Sequence, residues 1–306
     1  MLSIAVLAGG ESHERAVSLA SGRRVAEALR SVGHQTELFD TAQVDLARIA
    51  WSRYDACFIA LHGGAGEDGR IQRRLELLKV PYTGSGPAAS RLAMSKSASK
   101  ERFRQARVPT LPYVLLHASD GEANIATRAE SLGYPMAVKP DSQGSSLGVG
   151  RANSRDELGP RIAAAATYDE FVIVEPWIEG REFTVSILGR QPLPTIEIES
   201  NGFYDFAAKY GGRATRRTFE LSLSRRQAEE VARLAVAAAD SVGACGLSRV
   251  DLLVDGDGQP HVLEVNTIPG MTEHSLAPLA AAEVGLDLPG LCDWMVRDCQ
   301  VAGAAR

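Results

Sequence analysis

Four cysteines in 306 residues form no CxxC pair and no disulfide-type framework. Cys57 and Cys245 sit in apolar runs, and this usage, with Cys292 and Cys299, points to a reducing cytoplasm. No stretch approaches the roughly 20 apolar residues that a bilayer span requires. The opening MLSIAVLAGG has no basic leader and only a short apolar run, so it reads as a first strand rather than a signal peptide. A basic surplus is also missing. The formal net charge of −5 gives no general attraction to nucleic acid or to an anionic membrane surface. Internal repeats are absent, and low complexity is limited to Ala-rich helical segments. No GxxxxGK[ST] occurs, which excludes a P-loop NTPase. LAGGESHE follows a strand but lacks the spaced glycines of a dinucleotide fingerprint. The MAVKP stretch has a strand lysine, but no HRD or DFG follows, so a protein kinase is excluded.

What is present is the composition of a soluble globular protein, 45% hydrophobic and 23% charged, long enough for roughly two to three domains. The first 86 residues alternate strand and helix: IAVLAGG, VSLASGRRVAEALRSVG, QTELFD and YDACFIALHG, closed by VPYTGSG. Helices between strands imply a parallel sheet with crossover connections. One helix over SRLAMSKSASKERFRQARV then leads to the strand YPMAVKP, the loop DSQGSSLGVG, a helix at DELGPRIAAAAT and the strand EFVIVEPWI. The remainder reads as strands at REFTVSILG and LPTIEIES, a polar loop over residues 210–218, and the helix SRRQAEEVARLAVAAADSVG. A hairpin, VDLLVDGDGQPHVLEVN, and a last helix near GLDLPGLCDWMVRDC complete the chain.

That hairpin carries the sharpest signal. Side chains alternate along a strand, so Arg249, Asp251 and Leu253 share one face, and Val262, Glu264 and Asn266 share another. A pairing of Asp255 with Pro260 sets Asp251 against Glu264 and Arg249 against Asn266. Two carboxylates directly opposite each other repel, so something positive belongs between them. An EF-hand beginning at Asp255 fails, because Pro260 and Asn266 stand where Gly and Glu are required. A solvated face would carry mixed charge rather than two acids and an amide bounded by Val and Leu. An all-oxygen set with few carboxylates suits Mg2+, which keeps waters and takes further ligands from phosphates. A nucleotide is therefore implied.

The nucleotide loop admits two readings. VKPDSQGSSLGVG puts a Lys near a strand end and offers backbone N–H groups to anionic oxygens, although a plain hairpin turn has the same look. Glu14 stands at a helix start, where N-termini attract anions, or serves there as a capping residue. His62 follows a strand in a glycine-rich loop, at the end of a parallel sheet where open α/β folds bind ligands.

Taken together, ERAVSLASG, IALHGGAGEDGRIQ, VPYTGSGPAAS, VKPDSQGSSLGV, EFTVSIL, FYDFAAKY and SRVDLLVDGDGQPHVLEVNTIPGMTEHSL resemble the D-alanine–D-alanine ligases of the ATP-grasp superfamily, in order along essentially the whole chain. The resemblance implies an α/β fold, α+β in its ATP-grasp part. A Rossmann-like parallel subdomain over residues 1–86 would bind substrate. The two-subdomain ATP-grasp fold would comprise a central part, 87–178, and a C-terminal part with the Mg2+ site, 179–306. It further implies ligation of two D-alanines with ATP through an acyl phosphate for peptidoglycan synthesis, two Mg2+ ions (with Mn2+ as substitute), a cytoplasmic homodimer, and no nucleic-acid or membrane partner.

Residue roles follow from the same resemblance. Lys96, Lys139 and Lys209 match phosphate-contacting lysines, with Ser146 in the same loop. Glu175, Trp177 and Ile178 match the adenine hinge, Phe203 matches an adenine-packing ring, and Leu253 matches an ATP-binding position. Glu182 matches the ribose acceptor. Asp251, Glu264 and Asn266 match the metal ligands. Glu14, Ser145 and Tyr210 match a hydrogen-bonded trio that orients the amino acids, and His62 lies near the first carboxylate. Ser275 and Leu276 match the second carboxylate's site, and Arg249 with the Gly270 N–H matches the oxyanion-stabilising pair. Four features depart from the pattern: Gln143 where an acid is common, Ser95 where Asp is usual, Pro176 in the hinge, and the short Arg-rich stretch GGRATRRTF after Tyr210. A sister ligase using D-lactate or D-serine is one alternative, which Tyr210 disfavours. A nucleotide-binding module without turnover is the other.

Overall fold

The structure, a computed structural model, describes residues 1–120, 127–200 and 215–299. Phe203, Lys209 and Tyr210 lie outside the described residues.

IAVLA is continuously apolar because β1 (Ser3–Ala8) is covered on both faces. It lies between β2 (Gln35–Asp40) and β3 (Ala56–Ile59) in a parallel sheet of order β2-β1-β3. Helix α1 (Arg15–Ser31) joins β1 to β2, and α2 (Arg70–Leu77) follows β3. The alternation read from the sequence therefore gives the expected parallel unit.

Next come α3 (Pro87–Met94) and α4 (Lys96–Gln105), where the sequence suggested one helix. The break is local: Ser95 is extended and its side chain accepts from the Ala98 N–H at 3.2 Å, an N-cap that starts α4 afresh. Beyond them, β4 (Val114–His117), β5 (Met136–Pro140), β6 (Gly150–Ala152) and β7 (Phe171–Pro176) form an antiparallel sheet of order β4-β7-β5-β6. Helix α5 (Arg155–Ala166) packs Leu158, Ile162 and Ala165 against Met136, Val138 and Val172.

Residues 177–179 carry the chain into the largest sheet. It contains β8 (Gly180–Leu188), β10 (Ile196–Ser200), β11 (Thr215–Thr218), β12 (Leu247–Asp255) and β13 (Pro260–Asn266) in the order β11-β10-β8-β12-β13, with β9 (Gln191–Pro192) beside β8. Half of the expected polar loop at 210–218 is thus strand β11. An edge strand pairs on one side only, and charged residues such as Arg216 are common there. Helix α6 (Arg225–Val242) buries Val231, Leu234, Ala235, Ala238, Ala239 and Val242, the spacing of one helical face. A Ser224/Gln227 capping box starts it, and Gly243, at φ +74°, ends it in the left-handed conformation. Two more helices follow, α7 (Leu276–Glu283), which the sequence reading did not find, and α8 (Leu288–Arg297).

The hairpin β12–β13 pairs Arg249 with Asn266 and Asp251 with Glu264, as the sequence implied. The register then shifts between Asp251 and Leu252, so that Val254 rather than Asp255 faces Pro260. One extra residue in β13 inverts the alternation beyond it. Val262 therefore joins Leu252 in the core instead of sharing a face with Glu264, and its N–H donates to the Pro109 carbonyl at 2.9 Å. The carboxylate pair keeps its place because the bulge lies on the turn side of it.

Packing couples these units. α6 covers one face of the large sheet together with Ala93 and Phe103 from α3 and α4. One face of the parallel sheet packs, through α1, on Leu276, Ala280, Leu291 and Met295 of α7 and α8. The other face of the large sheet, covered in part by α7 and α8, carries Arg249, Asp251 and Leu253, half-buried while their neighbours are buried.

Candidate active site

A cavity of about 420 Å3 opens where the three sheets meet. The start of α1 contributes Glu14, the loop after β3 contributes His62, and the first turn of α4 contributes Lys96. The β5–β6 loop adds Ser145, β12 adds Arg249, and β13 adds Glu264 and Asn266. Gly270, Ser275 and Leu276 close the remaining side. Ten residues singled out from the sequence thus share one wall-to-wall space.

Glu14 is 5% exposed and makes no capping hydrogen bond, so the capping reading fails. Instead the Ser145 hydroxyl donates to its Oε1 from across the cavity. Ser145 and Ser146 both hold positive φ, 52° and 56°, a conformation that non-glycine residues rarely adopt. That strain is what aims the serine at Glu14. Gly63, at φ +67°, lets the loop pass close by, since a Cβ there would come within 2.7 Å of Glu14 Oε2. His62 is buried, its Nε2 3.1 Å from Ser21 Oγ, and its Nδ1 is 3.8 Å from Glu67 Oε1. The third member of the expected trio, Tyr210, is outside the described residues.

Positive charge does sit beside the facing carboxylates. Arg249 donates to both oxygens of Asp251, at 2.9 and 2.8 Å, and Thr184 donates to Asp251 Oδ1 at 2.6 Å. Lys96 Nζ lies 3.6 Å from Glu264 Oε2 and donates to the Gln143 carbonyl at 2.7 Å. Asn266 Oδ1 accepts from the Ile268 N–H. The donor set of Asp251, Glu264 and Asn266 is oxygen only, on facing strands, with the carboxylates 19% and 30% exposed. Such a set fits a hard divalent cation that also binds phosphate oxygens. No group of three or more His, Cys, Asp or Glu forms a metal site among the described residues, consistent with two carboxylates and an amide that need ligands from elsewhere.

The remaining expected nucleotide residues lie where the four-stranded sheet gives way to the large one. Lys139, on β5, donates to Glu175 Oε2 at 2.6 Å. Lys100 Nζ sits 2.6 Å from Glu175 Oε1, an ionic contact without hydrogen-bond alignment, and donates to Thr110 Oγ1 at 2.7 Å. Burial disfavours the charged Glu175, but Lys139 and Lys100 more than offset this and hold its carboxyl at about 2. Burial also pushes Lys100 below the usual lysine range, with Glu175 opposing. Lys139 is raised: burial acts downward, but Glu175 outweighs it, with further help from Glu264 and Glu182. Trp177 follows at the end of β7, its N–H bonded to the Pro135 carbonyl and its ring beneath Arg151 at 5.0 Å, and Ile178 is beside it. Glu182 pairs with Leu253 across β8 and β12. Since Asp251 pairs with Thr184, all four lie on the face that carries Arg249.

Three residues were missed. Asp141 ties the glycine loop to α4, accepting from the Ser95 hydroxyl at 2.6 Å and the Ser97 N–H at 2.7 Å. Lys100 and Thr184 position Glu175 and Asp251. The only signals were an acid directly after Lys-Pro and a lysine one helical turn beyond Lys96.

A glycine-bearing strand pair and a large antiparallel sheet enclosing lysines and paired carboxylates, joined to a smaller parallel sheet, define an ATP-grasp enzyme. The family described as D-ala D-ala ligase C-terminus matches residues 103–297, and that described as D-ala D-ala ligase N-terminus matches residues 34–85. A D-alanine--D-alanine ligase of Alkalilimnicola ehrlichii is 45% identical over 304 residues, 99% of this chain and 96% of that protein. One from Alcanivorax borkumensis is 42% identical over 303 residues, 98% of this chain and 94% of the relative. The crystal structure of the Bacillus anthracis ligase complexed with ATP superposes with a TM-score of 0.86 at 31% identity, covering 97% of both chains. The chain belongs to the D-alanine–D-alanine ligase family.

Proposed function

We propose that this protein joins two D-alanines to D-alanyl-D-alanine at the expense of ATP, for the synthesis of the bacterial cell wall. The observation that carries the reading is the shared cavity: Glu14 and Ser145 on one side, Lys96, Arg249, Glu264 and Asn266 on the other. ATP phosphorylates the carboxylate of the first D-alanine, releasing ADP. The amine of the second attacks the acyl phosphate carbonyl, and phosphate leaves.

In this reading Glu14, oriented by Ser145, holds the first ammonium, and His62 sits by its carboxylate. Lys96 and Lys139 offset phosphate charge, which suits a transfer that rests on positioning and electrostatics. Glu175, Trp177 and Ile178 contact adenine, Leu253 packs on it, and Glu182 binds ribose. Lys139 must exchange Glu175 for phosphate, leaving Lys100 as that carboxylate's counter-ion. Asp251, Glu264 and Asn266 would hold Mg2+ or Mn2+, and the ion would neutralise charge on the triphosphate. Arg249 and the Gly270 N–H face the oxyanion of the addition step. Ser275 and Leu276, at the start of α7, receive the second carboxylate. Residues 1–86, 87–178 and 179–306 are the three functional subdomains, and the working form is a cytoplasmic homodimer. No helix among the described residues is long and apolar enough to cross a membrane.

ADP release assayed over a panel of D- and L-amino acids, with mass identification of the product, tests this. D-alanyl-D-alanine is the expected product. D-lactate preferred as second substrate at neutral pH would refute it.

A further inference from the structure

Arg217 has a charge that no carboxylate among the described residues faces. It lies on β11 opposite Ile198 and lines the cavity with Ser275 and Gly270. Its Nη1 donates to the His274 carbonyl at 2.8 Å, which fixes the guanidinium beside the first turn of α7. Its Nε is buried and has no hydrogen-bond partner among the described residues. Lining the same cavity are two other strong cations. Arg249 is engaged by Asp251, and Lys96 faces Glu264. Arg217 alone of the three faces no carboxylate among the described residues.

A buried donor left without a partner costs about 1–3 kcal/mol, more when charged. A side chain retained in that condition at a cavity wall is suited to an anion that arrives with the substrate. The guanidinium fork matches a carboxylate in particular, through paired N–H groups. Location selects which one. The triphosphate end of the cavity is marked by Lys96 and Glu264, whereas Arg217 is anchored to the residue preceding Ser275. Ser275 leaves α7 without a side-chain cap, so first-turn N–H groups at the cavity wall remain for an anion. We infer that Arg217 recognises the carboxylate of the amine-donating D-alanine and makes this chain select a second substrate that bears one. The inference rests on the ligase reading above.

The test separates the two half-reactions. Hydroxylamine is an amine nucleophile without a carboxylate: it attacks the acyl phosphate, giving D-alanine hydroxamate and releasing phosphate. Arg217→Gln should raise the KM for the second D-alanine about tenfold to a hundredfold. Hydroxamate formation and the KM for ATP should stay at the wild-type level. Arg217→Lys, which keeps charge without the fork, should recover part of the loss. Equal losses in dipeptide and hydroxamate, or a raised KM for ATP, would overturn the inference, as would an unchanged second KM. A wild-type enzyme that forms neither product would instead remove the ligase reading itself.

Discussion

Replacing Lys100 with methionine removes one of two cations that face Glu175 inside the protein. Both Lys100 and Glu175 have side chains only 1% exposed, and Lys139 stands at the carboxylate's other oxygen. Removing one partner of a buried ion pair costs about 3–5 kcal/mol, because the other charge is left without compensation. Two effects reduce this here. Lys139 remains 2.6 Å from Oε2, and methionine avoids the burial penalty that Lys100 itself carries. Loss of the Lys100 hydrogen bonds to Thr110 and the Leu111 carbonyl acts the other way. The expected net loss is about 2–3 kcal/mol. Urea unfolding of the purified chain reads it directly. Lys100→Met/Glu175→Gln should be no more stable than Lys100→Met, since it takes away the counter-ion of Lys139 as well.

The pH dependence follows from the same pair. The Glu175 carboxyl lies at about 2 when folded, below its ordinary 4.5. A depressed carboxyl contributes stability that is complete above the unfolded pKa and is lost as pH falls toward the folded one. Without Lys100 the folded pKa rises, so this contribution shrinks and its acid limb lies closer to the unfolded value. A Lys100→Met variant as stable as wild type, or a double variant clearly more stable than the single one, would refute the argument.

Glu264→Ala should fold, its side chain being 30% exposed, yet release no ADP with D-alanine, and wild-type release would contradict the metal assignment. Arg249→Ala removes an oxyanion donor, a loss of about 2.7–4 kcal/mol in comparable sites, so kcat should fall roughly a hundredfold to a thousandfold in the same assay. The neighbouring Asp251 also loses its bidentate partner, and a melting curve will register that separately. Gly63→Ala places a methyl 2.7 Å from Glu14 Oε2 at φ +67°, so the KM for the first D-alanine should rise while that for ATP stays. Unchanged kinetics would show that Glu14 has room to move.

The parallel unit was legible because buried parallel strands read as apolar runs between amphipathic helices, and IAVLA is such a run. The Asp251–Glu264 opposition was legible too, because two carboxylates at one cross-strand position demand a reason. The bulge beyond them was not. One additional residue leaves no periodic trace, and Val262 is placed by a bond to Pro109, 153 positions away in a different segment. Strand β11 was hidden by Arg216 and Arg217, since an edge partner leaves little apolar demand. The break at Ser95 depends on a capping bond that competes closely with helix continuation. Asp141 and Lys100 became visible only when the topology brought distant segments together. Phe203, Lys209 and Tyr210 belong to the stretch outside the described residues.

His34 has a consequence for how the chain is made. Its Nδ1 accepts from the Leu2 N–H at 3.0 Å, so its Nε2 carries the proton and donates to Asp293 at 2.7 Å. The segment leading into β1 and helix α8 are thereby latched through one imidazole, over a core in which α1 leans on α8. During synthesis the first strands leave the ribosome long before the helix that shields them. Until residue 297 emerges, that apolar face has to be guarded by something else, or wait.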